Sequence, residues 1–430
     1  MTAGQEPAPT RARYGVVAFA VTLAVITYID RVCIAQAAPL IRQDLALSEK
    51  QMGWIMSIFY WTYGLFEVPW GRLADRIGAK KVLLRIVVVW SVFTAATGAA
   101  WNFGVLLATR ALFGVGEAGC FPSLTRAFTT WLSSSERVRA QGLLWLSARW
   151  GGAFTPLLAM LLIDAVSWRL TFAIFGGVGV LWAAVFVLRY RNDPREHPGV
   201  NEAERALLPS ASLASRAHGP VPWRLYIGSP RVWILWTQYA FLSYGAALYV
   251  TWIPTFLRTF GELSPMERAL LAAPPLFFGG IGSLFCGFFL SRLTRWAGSG
   301  ERARRWMAVL GFAGSAAMMI VSTLLPDPVW KMAALGAAGF ANDLAMPPSW
   351  GACMDLGGRH SGTLSGSMNM WGSLGGGLAP AVAPYLRSAA GDDWNVVFYA
   401  AAAAYFLGMI CWFFIDSVTP LEPHPKEAAP

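Results

Sequence analysis

Apolar residues run along this chain in stretches of roughly 20, the length that crosses a hydrocarbon core as a helix. Twelve such stretches are read, over about 14–39, 51–73, 80–101, 103–132, 137–163, 168–191, 229–258, 266–293, 303–325, 329–354, 360–388 and 393–417. Short polar segments separate them, and one longer segment, 192–228, divides six from six. It opens Asp193-Pro194-Arg195-Glu196-His197-Pro198 and continues rich in Ser, Ala and Pro, the composition of a linker. The pattern predicts an all-α integral membrane protein of twelve transmembrane helices. They form two six-helix bundles, 1–191 and 229–430, with the second including a short tail.

The two halves repeat. The fifth stretch has Gly142, Arg149, Gly151, Gly152 and Pro156; the eleventh has Gly366, Ser373, Gly375, Gly376 and Pro380, at a constant offset of 224. In the fourth and tenth, Pro122-Ser123 falls on Pro348-Ser349 and Glu117 on Asp343. The loop after the second stretch, Gly71-xxx-Asp75-Arg76, answers Gly287-xxx-Ser291-Arg292 after the eighth. Parallel repeats of this kind place a substrate near mid-membrane between the bundles. The paired glycines read as close helix packing, which small residues permit in lipid.

Composition agrees: 56% of residues are hydrophobic and 13% charged, against about 25% charged in a soluble domain. The net charge of +10 does not indicate nucleic acid. When Lys and Arg are assigned to alternate loops, one set with the termini holds 23 and the other 7, so the termini are expected in the cytoplasm. No cleavable signal peptide is read ahead of the first stretch. Cys33, Cys120, Cys286, Cys353 and Cys411 are scattered through apolar stretches and suggest neither a disulfide frame nor a metal site. No nucleophile–base set, phosphate loop or metal cluster is present in the sequence, so no enzyme activity, cofactor or metal is expected.

The candidate chemistry is a handful of charges inside apolar helices. Asp30-Arg31 lies in the first stretch, and Arg110 and Glu117 in the fourth. Ionisable groups at that depth mark a functional site by default. Tyr28 and Arg31 are three apart and share a helix face; Arg110 and Glu117 are two turns apart and do the same. Arginine offers a planar fork for carboxylates. A buried carboxylate that competes with a substrate for that arginine couples proton uptake to anion binding. The alternative is that the four charges only neutralise one another.

The segment Gly71-Arg72-Leu73-Ala74-Asp75-Arg76-Ile77-Gly78-Ala79-Lys80-Lys81 resembles the loop motif of the major facilitator superfamily. The resemblance covers the whole chain. It implies gating by Gly71, Asp75 and Arg76. Tyr28-Ile29-Asp30-Arg31, Tyr63, and Arg110-Ala-Leu-Phe-Gly114-Val-Gly116-Glu117-Ala-Gly119 resemble, more narrowly, the anion:cation symporter family. That family includes bacterial galactonate, glucarate and hexuronate transporters and the animal sialic-acid and vesicular glutamate carriers. The resemblance implies substrate-binding arginines at Arg31 and Arg110, tyrosines at the substrate at Tyr28 and Tyr63, and proton-titrating carboxylates at Asp30 and Glu117.

Arg149 departs from that pattern, where a neutral amide is usual. It either faces the substrate or pairs with Glu67, which departs in the opposite sense. In the second half, Asn369 and Ser373 share a face and can meet substrate hydroxyls. Asp343 mirrors Glu117 as a second titrating site or the centre of a structural polar cluster. Trp150, Trp350 and Trp371 flank these positions and are expected to line the cavity, with most other tryptophans facing lipid or its interfaces. The expected protein is a proton-coupled transporter of a small organic anion in the bacterial inner membrane, working as a monomer by alternating access. Its alternatives are an exchanger or exporter on the same fold, or a non-transporting sensor.

Overall fold

A computed structural model describes residues 8–132, 134–208, 223–357 and 361–421, with the side chains of Asp75, Ser134, Ser135, Val138 and Ser361 outside the description. Among the described residues there is no strand. The first half is α1 (Ala12–Asp44), α2 (Glu49–Ile77), α3 (Ala79–Gly98), α4 (Phe103–Glu117), α5 (Cys120–Trp131), α6 (Ser134–Ala165) and α7 (Trp168–Arg189). Short helices α8 (Glu202–Leu207) and α9 (Trp223–Gly228) follow. The second half is α10 (Pro230–Thr251), α11 (Ile253–Leu257), α12 (Pro265–Leu271), α13 (Pro274–Ala297), α14 (Gly300–Leu324), α15 (Pro328–Gly357), α16 (Ser361–Ala389) and α17 (Asn395–Phe414).

These helices make the twelve rods expected from the sequence, three of them broken. The breaks fall between α4 and α5, α10 and α11, and α12 and α13, each just ahead of proline: Pro122, Pro254, and Pro274-Pro275. Proline lacks the N–H that would bond four residues back, and its ring crowds that carbonyl. Pro348, the repeat counterpart of Pro122, lies inside an unbroken α15. The difference is glycine. Gly114, Gly116 and Gly119 soften the first site, whereas Phe340, Asn342 and Ala345 stand at the matching positions.

Eight of the rods are long and apolar enough to cross a membrane. The other four are α2, α10–α11, α15 and α16. α2 lies along α16, and α6 along α13. Close approach depends on small residues: a Cβ on Gly375 would fall 2.4 Å from the Ala240 carbonyl oxygen, and one on Gly53 2.4 Å from that of Pro380. With an even number of crossings, both ends of the described chain emerge on one side, hereafter the terminal side; the other is the distal side. Trp90, Trp131, Trp252 and Trp412 are fully buried in protein.

The 192–228 segment is more than a tether. Residues 192–208 dock on the first half, while α9 packs against α10 in the second. Neither α1 nor α3 has an N-cap side chain of its own. Asn192 Oδ1 accepts from Lys80 N, 2.9 Å, and Glu204 accepts from Ala12 N, Arg13 N and Thr10 Oγ1. The segment thus supplies the missing caps to two helix N-termini. Arg13 completes the cluster by reaching Glu204 and Glu136, each at 2.9 Å.

Candidate functional site

α1 carries Tyr28, Asp30 and Arg31 into the first half, and α4 carries Arg110 and Glu117. Gly114 brings α4 against α2: a Cβ there would sit 2.3 Å from Thr62 Oγ1 and 2.6 Å from the Phe59 carbonyl oxygen. That contact sets Arg110 beside the aromatic face of α2. Arg110 is 1% exposed, Asp30 1% and Glu117 0%. Glu117 ends α4, where the helix dipole is negative, and its charge is met by a cation: Arg31 Nε lies 2.5 Å from Glu117 Oε1. Asp30 lies beside Trp90, with Glu117 and Arg110 as its charged neighbours.

Aromatic rings hold both guanidiniums. Arg31 stands 4.5 Å from the centre of the Tyr63 ring, 5.3 Å from Phe59, 5.4 Å from Tyr28 and 5.7 Å from Phe121. Arg110 stands 4.2 Å from Phe113 and 5.5 Å from Phe59. Ring faces attract cations but accept no strong hydrogen bond, so they hold arginine without using up its donors. Among the described residues, Arg110 Nε and Nη1, Arg31 Nη2, Glu117 Oε2 and both Asp30 oxygens are buried with no hydrogen-bond partner. Such atoms are costly unless something else meets them. Arg31 and Arg110 share a cavity of about 10 Å³ with Ile34, Met56, Phe59, Tyr60, Val250 and Thr251. That is room for one water. The halves are closed around the site here, and any larger guest requires them to part.

The six residues Tyr28, Asp30, Arg31, Tyr63, Arg110 and Glu117 therefore lie together in the first half. Arg149 does not pair with Glu67. Its Nη2 donates to Asp343 Oδ1 at 2.8 Å, across the junction of the halves. Asp343 also accepts from Asn342 Nδ2 at 2.7 Å and Ser283 Oγ at 3.3 Å. Glu67 instead faces Asn369, whose Nδ2 lies 2.7 Å from both carboxylate oxygens. Asn369 is thus committed to a carboxylate in this closed arrangement. Ser373 packs in the α2–α16 seam: a Cβ on Gly64 would come within 2.9 Å of its Cβ.

Trp150 is 37% exposed and stacks on Phe277 at 5.4 Å, on the outer surface rather than in the cavity. Trp350 donates to the Tyr239 hydroxyl at 3.1 Å, and Trp371 stacks on Trp236.

The distal side is sealed by Glu49 with Arg387, by Trp54 Nε1 donating to the Tyr385 hydroxyl at 3.2 Å, and by Lys50 over that ring. On the terminal side Trp145 meets Trp350, 6.5 Å between centres. The motif residues lie there, away from the arginines. Gly71 makes only ordinary contact with Pro122, Arg76 is exposed, and the Asp75 side chain lies outside the described residues. The glycine that the backbone requires is Gly78, at φ +84° and against Asn192.

Phe59, Phe113 and Phe121 were missed in the sequence. Phe59 stands four residues before Tyr63 and Phe113 three after Arg110, so the i, i+3/i+4 neighbours of each arginine and tyrosine were the signal available.

Two helical halves closed over a buried charged cluster define a multi-pass membrane transporter. Residues 20–380 match the Major Facilitator Superfamily, and the chain belongs to that family. The probable sulfoacetate transporter SauU of Cupriavidus necator is 31% identical over 407 residues, 94% of each chain. The D-galactonate transporter of Escherichia coli O6:H1 is 27% identical, over 92% of this chain and 94% of that one. The hexuronate transporter of Bacillus subtilis is also 27% identical, over 94% of each. Among solved structures, a bacterial homolog of the human lysosomal transporter Spinster, inward-facing and unoccupied, superposes with a TM-score of 0.73. It shares 22% identity and covers 96% of this chain and 99% of that one, a likeness of fold. The family and these relatives are transporters rather than enzymes.

Proposed function

We propose that this protein is a proton-coupled symporter of a small organic anion, a sugar acid or another carboxylate. The carrying observation is Arg110, fully buried, with two nitrogens unbonded beside the Arg31–Glu117 pair. Arg31 and Arg110 bind the anion, and Tyr28 and Tyr63 flank it. The anion displaces Glu117 from Arg31; the carboxylate left behind is costly in this interior until it takes a proton. Asp30, next to Arg110, serves the same exchange. Asp343 is the corresponding carboxylate of the second half. Names borne by the relatives, sulfoacetate, D-galactonate and hexuronate, are all small organic anions.

The two units are 1–191 and 229–430, joined by 192–228, and they rock about the central site to open it to one side at a time. Gly71, Asp75 and Arg76 gate the terminal side. That side is the cytoplasm and the membrane is a bacterial inner membrane, in keeping with the excess of Lys and Arg in the terminal-side loops. A single chain suffices, because both arginines and both carboxylates come from one protomer.

Uptake into proteoliposomes tests this. An imposed inward proton gradient drives accumulation of a sugar acid or other small carboxylate above its outside concentration. Uptake indifferent to the gradient but accelerated by anion inside the vesicle would make the protein an exchanger instead.

A further inference from the structure

We propose that Arg149 receives a second acidic group on the transported anion, so that the protein selects small organic dianions over monoanions; this rests on the anion-site reading above. Arg149 is 9% exposed, and its Nη2 is engaged by Asp343 Oδ1 and by the Met346 sulfur at 3.1 Å. Its one anionic partner comes from the opposite half, across surfaces that must part when the site opens. Withdrawing Asp343 leaves a buried guanidinium without an anion, a costly state that a ligand group can relieve.

The position suits a ligand held at its other end by Arg31. Tyr28 is an electrostatic neighbour of both Arg31 and Arg149, and so is Tyr60. Gly152, nearly one turn beyond Arg149 on α6, brings that helix onto the same ring: a Cβ there would stand 3.0 Å from Tyr28 Cδ1. Tyr28 thus lies near both cations. Charge balance agrees. Glu117 and Asp343 are the carboxylates bound to Arg31 and Arg149 in the closed site. A dianion replaces both, whereas a monoanion replaces one and leaves Arg149 on Asp343.

The test is binding to purified full-length protein, read by thermal shift, of probes matched except for a terminal carboxylate or hydroxymethyl group. Galactarate with galactonate and succinate with 4-hydroxybutyrate are two such pairs. Wild type prefers the dianion by about tenfold or more, the value of one charge-assisted contact. Arg149→Gln brings that ratio close to one. Asp343→Asn raises it by removing the competing carboxylate, which loss of a purely structural bridge would not do. Should Arg149→Gln fail to fold, Asp343→Asn decides. A ratio near one in wild type, a ratio preserved in Arg149→Gln, or one lowered by Asp343→Asn overturns the proposal. Binding of neither member of either pair by wild type overturns the anion-site reading itself.

Discussion

The halves repeat in sequence but furnish their interiors differently. In the first, Arg110, Arg31, Asp30 and Glu117 sit within one another's fields and keep nitrogens and oxygens unbonded. In the second, the corresponding depth holds closed networks. Gln238 Oε1 accepts from Ser349 Oγ and Trp412 Nε1, each at 3.2 Å, while its Nε2 donates to the Leu235 carbonyl oxygen. Asn342 joins the Tyr405 hydroxyl to Asp343. A satisfied network rigidifies, whereas donors left over in a dry interior invite a guest. One half is thus prepared for a ligand and the other frames it.

The largest test of that contrast is Arg110→Ala. It removes charge-assisted donors worth about 1.5–3 kcal/mol each, so uptake should fall by about 100-fold or more. Gel filtration should show the variant still folded. Retained uptake would make the first half's charges mere mutual neutralisers. Next is Glu117→Gln, expected to lose gradient-driven accumulation while keeping counterflow of preloaded substrate; equal loss of both would place Glu117 with the structural groups.

In the second half the outcome reverses. Gln238→Leu strands the Trp412 donor, at about 1–3 kcal/mol. Melting temperature should drop with little change in the transport KM, and a large KM change would break the distinction. Smallest is Glu204→Gln in the docked segment, expected to cost about 1 kcal/mol, the value of a cap. Burial alone would raise the Glu204 carboxyl, but bonds from Thr10, Arg13 and Ala12 outweigh it and hold the group below its usual value of 4.5. Its contribution is therefore complete above pH 4.5 and fades as pH falls through the lowered value. Wild type and Glu204→Gln should differ in melting temperature at neutral pH and converge in acid.

Much of this was legible without coordinates. Twelve rods and the repeat of the halves follow from apolar length and repeat spacing, Asp30, Arg31, Arg110 and Glu117 from charge at depth, and Tyr28 from the helix face it shares with Arg31; Tyr63 came only from the family resemblance. The partners of Arg149 and Glu67 did not follow. Each is set by contacts between halves, 194 and 302 residues away, where no local periodicity reaches. The alternative in which Arg149 and Glu67 pair with each other failed because Asp343 and Asn369 were in place to meet them. Helix breaks were missed for a related reason. Pro122 and Pro348 look alike in sequence, and only the glycines around the first let the chain turn.

The docked segment has a practical corollary for watching this molecule move. Arg195 is exposed and lies past the last helix of the first half, yet residues on either side of it are fastened to the starts of α1 and α3. A spectroscopic label there would ride with the first half as a rigid reporter. Paired with a label on the second half, it would read the rocking angle without touching either bundle.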